Sequence, residues 1–196
     1  MSDENVNRFS DVQYIARRNF FNFLGITCRI LSPAGALLFY IRLKAFKLKE
    51  DITIFSDETQ TTSLLNIKAR SIIDFSAAYD VVDTQSGEKV GAFRRKGWKS
   101  FLKDEWEILD LEDQVVGHMK EDSALMALLR RFLSNLIPQN FTFDVGGNVV
   151  GDLTGTWNPF VVKYDVNLSM DTQNLLDKKM ALAGTVLLMA IEGKQG

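Results

Sequence analysis

An apolar run near the C-terminus constrains the fold of this chain more than any other stretch. Met180 to Ile191 holds 12 residues that are apolar except for Gly184 and Thr185. Crossing a bilayer takes about 20 apolar residues, and a helix of this length covers roughly 18 Å. Charged residues stand directly on both sides, at 177–179 and at 192 and 194, so the run cannot be extended. We therefore expect no membrane-spanning segment and a helix that is buried within the protein.

The same run is apolar on every side of the helix, whereas an ordinary surface helix has one apolar and one polar face. Its small residues would let the surrounding backbone approach closely. Its larger side chains project in several directions: Leu182, Val186, Met189, Leu187, Leu188 and Ile191. The sequence thus predicts that the rest of the chain encloses this helix.

Composition is that of an ordinary globular protein of 196 residues, and the length suits one domain. The net charge of −2 gives no overall attraction for nucleic acid. The first residues, MSDENVNRFSDVQ, do not resemble a secretory signal, and a single cysteine, Cys28, rules out an internal disulfide. Both observations favour the cytoplasm as the location.

Three stretches repeat one hairpin design: 79–93, 106–119 and 141–153. In each, an apolar run ends in aspartate, a short polar connection follows, and a second run contains the pair Val-Gly. Aspartate suits the start of a turn, and glycine within a strand often marks a bulge or a tight bend. Looser matches elsewhere bring the expected total to about a dozen short strands. The segment from Asp11 to Arg18 is expected to form a short helix.

Closure into a barrel removes the exposed edges that so many antiparallel strands would otherwise have. A barrel of about twelve strands is too wide for its own side chains to fill. We therefore expect a mostly β protein, an antiparallel barrel of about twelve strands enclosing the hydrophobic C-terminal helix. The predicted organisation is a polar segment over 1–19 and a barrel domain over 20–196. One amphipathic helical insertion is expected at 121–137, with an apolar face from Leu125 to Leu136.

The hairpins, the basic aromatic stretch FRRKGWKSFLKDEWEI and the closing DKKMALAGTVLLMAI resemble the tubby C-terminal-like superfamily. Within it, the chain is most similar to LURP-one-related and phospholipid scramblase-like proteins, over roughly residues 20–192. The resemblance implies a twelve-stranded barrel around a C-terminal helix. Tubby proteins bind phosphoinositides and scramblases move lipids between leaflets. This chain lacks the Pro-rich N-terminus and the cysteine cluster of scramblases.

Residues suited to catalysis are few. Cys28 and His118 are the single residues of their types and are far apart in the sequence, and Asp83, Asp110 and Asp144 occupy predicted turn positions. Three further aspartates precede the last helix at 165, 171 and 177, where scramblases bind calcium, but their spacing of six does not match an EF-hand. We expect a non-enzymatic protein without a cofactor or a metal.

One cluster of basic and aromatic residues suggests binding: Arg94, Arg95, Lys96, Trp98, Lys99 and Lys103. Each basic side chain near an anionic membrane surface contributes about 1 kcal/mol, and Trp favours the interface. The sequence predicts peripheral association with anionic phospholipid head groups. Two alternatives remain: the cluster is a solvated hairpin partly neutralised by Asp104 and Glu105, in a protein that binds other proteins instead, or the protein has scramblase-like activity.

Overall fold

The computed structural model describes residues 8–19, 25–43, 51–71, 78–95, 105–121, 139–156, 158 and 161–191. The amphipathic helix predicted after Glu121 lies outside these residues. Within them, twelve strands precede one long helix. The strands are β1 Gln13–Asn19, β2 Ile26–Leu31, β3 Leu37–Leu43, β4 Asp51–Phe55, β5 Ser63–Ala69, β6 Ala78–Asp83, β7 Lys89–Arg95, β8 Glu105–Leu109, β9 Val115–Glu121, β10 Asn140–Val145, β11 Asn148–Thr156 and β12 Val161–Asn167. The helix, α1, spans Lys178–Ile191.

The strands form a closed antiparallel barrel. Each strand pairs with its neighbours in the sequence, and β1 pairs with β12 to complete the ring. This confirms the predicted fold class and strand number. Each of the twelve described strands has a hydrogen-bonded neighbour on both sides, so none of them is an edge strand that could recruit another strand.

The closing strand β1 corrects one expectation. Asp11 to Arg18 is not a helix, because Gln13–Asn19 is extended and pairs with both β12 and β2. Tyr14, Ala16 and Arg18 are buried while Gln13 and Arg17 are exposed, which is the two-residue period of a strand. The barrel in the structure therefore starts within the segment 1–19, before residue 20.

Five hairpins carry the same irregularity. In each, the second strand has one extra residue that pairs with nothing opposite, and in three of them a glycine follows it directly. The extra residues are Leu38, Leu64, Val90, Val116 and Val150. Such bulges bend a strand and increase its twist, which helps a sheet to curl closed. The prediction that the Val-Gly pairs mark bulges is confirmed.

The glycines after these bulges are required by close approach of a neighbouring strand. A Cβ atom on Gly91 would lie 2.7 Å from the carbonyl oxygen of Leu109, and one on Gly117 would collide with the carbonyl oxygen of Asp144. The neighbouring strands cannot move apart without breaking the hydrogen bonds between them. Glycine therefore lets adjacent strands pass closely at the point where the barrel bends.

Helix α1 lies inside the barrel. Its residues from Met180 to Ala190 are all buried, and it contacts strands on opposite sides of the ring. On one side, Tyr14 of β1 meets Thr185; on the other, Phe93 of β7 packs against Gly184. The predicted central position of the apolar run is confirmed. The helix supplies the core that strands alone could not fill.

Polar contacts hold α1 at both ends. At its start, the Asp177 carboxylate accepts a hydrogen bond from the Lys179 N–H at 2.7 Å, which is an N-cap. The Lys179 ammonium reaches the Asp83 carboxylate of β6 at 2.6 Å. At its end, the buried Arg18 guanidinium of β1 donates to the Met189 carbonyl at 2.5 Å. A positive charge at the C-terminal end of a helix interacts favourably with the helix macrodipole.

The antiparallel order gives the barrel two distinct ends. The tight connections at 32–36, 56–62, 84–88, 110–114 and 146–147 all lie at one end, where α1 also begins. We call this the turn end. The opposite end, where β7 finishes at Arg95 and β8 starts at Glu105, is called the far end.

Candidate functional site

Arg94 and Arg95 are the two members of the predicted basic cluster that the structure describes. They are the last residues of β7, at the far end of the barrel. Because successive residues of a strand point to opposite faces, the two guanidinium groups lie on different sides of the barrel wall. Arg94 is on the outer face of β7, whereas Arg95 is on the same inner face as Phe93. They do not form one contiguous patch.

Arg94 already has a carboxylate partner. It pairs in register with Glu107 of β8, and its Nε and Nη2 atoms each lie 2.6 Å from Glu107 Oε2. The Arg94 side chain is 42% exposed, whereas that of Glu107 is 13% exposed. The charge of Arg94 is therefore largely matched within the barrel wall, and this arginine is a weaker candidate for binding an external anion.

Arg95 has an aromatic partner. It pairs in register with Trp106 of β8, and its guanidinium carbon lies 5.9 Å from the centre of the indole ring. That distance is within the range of a cation–π contact. The ring of Tyr79, on β6, also packs against Trp106, with ring centres 5.8 Å apart. This contact places the Arg95 side chain over the indole ring at the mouth of the barrel.

The remaining members of the cluster, Lys96, Trp98, Lys99 and Lys103, lie outside the described residues. They belong to the connection between β7 and β8, whose two ends are at the far end of the barrel. Their role in binding stays a prediction.

The described strand residues at the far end carry more positive than negative charge. The outermost three residues of each strand at this end include eight basic and five acidic side chains. The basic ones are Arg17, Arg18, Arg42, Lys68, Arg94, Arg95, Lys120 and Lys163, and the acidic ones are Asp51, Asp80, Glu105, Glu107 and Glu121. At the opposite end, the turns at 56–62, 84–88 and 110–114 carry only acidic charges, and those at 32–36 and 146–147 carry none. Charge is therefore separated along the barrel although the whole chain is nearly neutral.

Sequence reasoning missed the inward-facing charged residues at the far end. Arg18 is 3% exposed and Glu121 is 4% exposed, and both lie on inner faces of their strands. Burial lowers the pKa of Arg18, with a smaller opposing effect from Cys28 and Tyr164. The alternation of Tyr14, Ala16 and Arg18 is the signal that could have placed this arginine inside the barrel.

Cys28 and His118 do not form a catalytic pair. Cys28 lies on the inner face of β2 and is completely buried, whereas His118 lies on the outer face of β9. Burial raises the pKa of the Cys28 thiol to about 12, and the charge of Arg18 opposes this only in part. A thiol in that state is a poor nucleophile near neutral pH.

The repeated aspartates have the structural roles that their turn positions predict. Asp83 accepts hydrogen bonds from the N–H groups of Gln85 and Ser86, and Asp110 accepts them from Glu112 and Gln114. Asp144 similarly accepts from Gly147 N–H. Among the described residues, no group of three or more His, Cys, Asp or Glu side chains is placed to hold a metal ion.

In the part of the chain that the structure describes, no helix is both long enough and apolar enough to cross a membrane.

A closed antiparallel barrel built around a buried C-terminal helix is the class of protein that these observations define. Residues 37–188 match the family model described as LURP-one-related. The match spans most of the chain, which therefore belongs to the LURP-one-related family.

A solved structure has the same overall fold. It is the X-ray structure of a protein from Arabidopsis thaliana, with a TM-score of 0.50 and 11% sequence identity. The similarity covers 91% of this chain and 92% of the plant protein. At this identity it shows the fold alone. No curated protein sequence matches this chain significantly.

Proposed function

We propose that this protein is a non-catalytic module that binds anionic phospholipid head groups at the cytoplasmic surface of a membrane. The far end of the barrel faces the lipid in this proposal. Arg95, Lys96, Lys99 and Lys103 provide the positive charge, and Trp98 enters the interface.

The observation that carries the proposal is the separation of charge along the barrel. An acidic turn end and a basic far end would orient the molecule in front of a negative surface before any contact forms. The connections at the far end add to this charge in their sequence: Lys44, Lys47, Lys49, Lys96, Lys99, Lys103, Arg130 and Arg131, against Glu50, Asp74, Asp104 and Asp122.

The described contacts indicate that the basic residues of the cluster contribute unequally to lipid binding. Arg94 is engaged by Glu107. Removing the Arg94 charge would therefore also leave the half-buried Glu107 carboxylate without this ion pair. The Arg95 side chain packs over the Trp106 ring. Because Arg94 is engaged by Glu107, we expect it to contribute less to lipid binding than the lysines of the cluster.

Vesicle co-sedimentation tests the proposal. The wild-type chain should bind vesicles of phosphatidylcholine with phosphatidylserine, should ignore phosphatidylcholine alone, and should release as salt rises, because a Debye length of about 10 Å at 0.1 M screens exposed charges. Changing Lys96, Lys99 and Lys103 together to Gln should weaken partitioning about one hundredfold, at about 1 kcal/mol for each lysine.

Two control variants separate local contacts from net charge. Arg94→Gln combined with Glu107→Gln deletes the ion pair but leaves the net charge unchanged, and it should bind vesicles like wild type. The second control variant removes three positive charges from the turn end by changing Lys89, Lys178 and Lys179 to Gln. It should bind vesicles nearly as well as wild type. If wild type ignores anionic vesicles at low salt, the lipid proposal fails. If the turn-end variant loses binding as strongly as the far-end variant, the proposed orientation fails.

A further inference from the structure

Exposed apolar side chains on the described residues are confined to one region of the barrel. Every large apolar residue that is exposed there lies at the turn end, in the half of the ring that runs from β8 through β12 to β1. We call this set the apolar arc: Val12, Leu111, Val115, Val116, Val149, Met170 and Leu175, which are between 39% and 56% exposed. Single exposed apolar residues are normal, but a confined group marks an interaction site.

Backbone hydrogen bonds bring neighbouring segments of the arc together. The N–H of Gly146, in the turn between β10 and β11, donates to the Val116 carbonyl of β9 at 3.1 Å. On the other side, Leu168 N–H donates to the Val12 carbonyl at 2.7 Å. Between them, Leu168 lies against Gly151 of β11, so the segment that carries Met170 runs past the start of β11 where Val149 lies.

The other half of the turn end provides an internal comparison. Its three turns at 32–36, 56–62 and 84–88 carry small or polar residues, and no large apolar side chain is exposed on these described turns. All the turns use the same bulged hairpin design. The fold therefore does not require valine and leucine at these positions, and their presence in one half indicates a surface that is used for contact.

The charges on the arc define the chemistry of its partner. Carboxylates lie among the apolar residues and have no ion pair with any described residue: Asp11, Asp110, Glu112, Asp144 and Asp177. Three lysines at the turn end are engaged with other carboxylates: Lys179 binds Asp83, Lys89 binds Asp113, and Lys178 lies 3.6 Å from Asp171. The surface is therefore apolar and negative.

We propose that the apolar arc binds a basic amphipathic segment of another protein. Apolar side chains of that segment would cover the exposed valines and leucines, while its Lys or Arg residues would face the carboxylates that have no ion pair with a described residue. An anionic membrane does not fit this surface because the carboxylates would repel it. A second copy does not fit because two acidic arcs would face each other. This inference goes beyond lipid binding, which we assign to the opposite end.

The test uses a synthetic amphipathic peptide of leucine and lysine at helical spacing as the probe. Two control peptides replace all lysines by glutamate or all leucines by serine. Fluorescence anisotropy measures binding to the full chain, and amide chemical shifts locate the contact. The leucine–lysine peptide should bind, both controls should bind at least about tenfold more weakly, and the shifts should be confined to the arc.

Variants of the arc sharpen the result. Leu111→Asp and Val149→Asp should each weaken the peptide about tenfold, since each places a charge against the apolar face of the peptide. Thr61→Asp, an exposed turn residue in the other half, adds the same charge and should leave binding unchanged. Leu111 is an exposed turn residue, so Leu111→Asp should melt like wild type in a thermal scan. Val149 lies opposite Asp144 in the register of β10 and β11, so Val149→Asp should melt at a somewhat lower temperature.

Several results would overturn the inference. These are no binding of the leucine–lysine peptide, equal binding of the glutamate peptide, shifts at the far end, or sedimentation showing that the arc joins two copies of this chain. Vesicle binding separates this idea from the lipid proposal. Arc variants should keep wild-type affinity for anionic vesicles, and the Lys96, Lys99 and Lys103 variant should keep its affinity for the peptide. Loss of vesicle binding in Leu111→Asp would also contradict our assignment of the arc.

Discussion

Gly184 lies where the central helix passes between two buried phenylalanine rings. A Cβ atom at this position would be 2.9 Å from Cζ of Phe93 and 3.1 Å from Cε1 of Phe143, and both rings are completely buried. Real Cβ atoms essentially never come as close as the first distance and rarely as close as the second, so any larger residue must displace the Phe93 ring. The rings stand against the barrel wall, and interiors packed to crystal density leave them little room.

The size of the effect follows from two opposing contributions. Alanine stabilises a helix by about 1 kcal/mol relative to glycine, whereas overpacking a core costs about 1–3 kcal/mol. Gly184→Ala should therefore change the free energy of unfolding by about 0–2 kcal/mol in the destabilising direction. Gly184→Leu adds three more carbon atoms at the same place without further gain in helix propensity, and we expect a loss of about 3 kcal/mol.

Urea denaturation measures this directly, because a lower midpoint with an unchanged slope reports a loss of stability. For a chain of this size the melting temperature should fall by about 2–4 °C for each kcal/mol. Phe93→Leu combined with Gly184→Ala relieves the collision, so the double variant should lose less stability than the two single changes added together. A leucine variant with the wild-type midpoint, or strict additivity in the double variant, would refute the reasoning.

Three further predictions concern contacts inside and around the barrel. The Thr185 hydroxyl donates a hydrogen bond to a helix carbonyl and accepts one from the Tyr14 hydroxyl. Tyr14→Phe should therefore lower the free energy of unfolding, measured by urea denaturation, by about 0.5–1.5 kcal/mol. An unchanged midpoint would contradict a buried hydrogen bond at this position. Burial alone would raise the pKa of Asp83, but hydrogen bonds from Lys179 and two backbone N–H groups lower it. The stabilisation that the Asp83 carboxylate gives the folded protein should therefore be complete above its unfolded pKa of about 4 and should decline as the pH falls below that value. Lys179→Met should flatten this part of the curve of stability against pH. A curve identical to that of wild type would argue against the ion pair. Gly117→Ala should destabilise by about 1–3 kcal/mol because its methyl group meets a neighbouring carbonyl, and a neutral effect in a thermal melt would show that the strands can separate there.

Much of the fold could be predicted from the sequence because its strongest signals are local or periodic. The length and all-round apolarity of Met180 to Ile191 required enclosure whatever surrounded it. The Val-Gly pairs marked bulges because a bulge depends on a few adjacent residues. The resemblance to a known family added the strand number, which matched the count of hairpins.

The candidate site was less predictable because it depends on pairing between distant segments. In the sequence, Arg94 and Arg95 look like one positive cluster, but the pleat of β7 sends them to opposite faces. Register then gives Arg94 the carboxylate of Glu107 and gives Arg95 the indole of Trp106. Neither partner can be assigned without knowing which residues of β8 lie opposite.

What the sequence by itself determined is that a helix must be buried and that bulged hairpins must surround it. Only the tertiary structure decided which side chains those hairpins bring together. Closure places Arg18 against the Met189 carbonyl, across 171 residues of chain, and gathers exposed apolar residues from distant turns into one arc. The physical reason is that burial and bulges follow from the neighbours along the chain, whereas charge pairing and surface patches follow from the register and closure of the whole barrel.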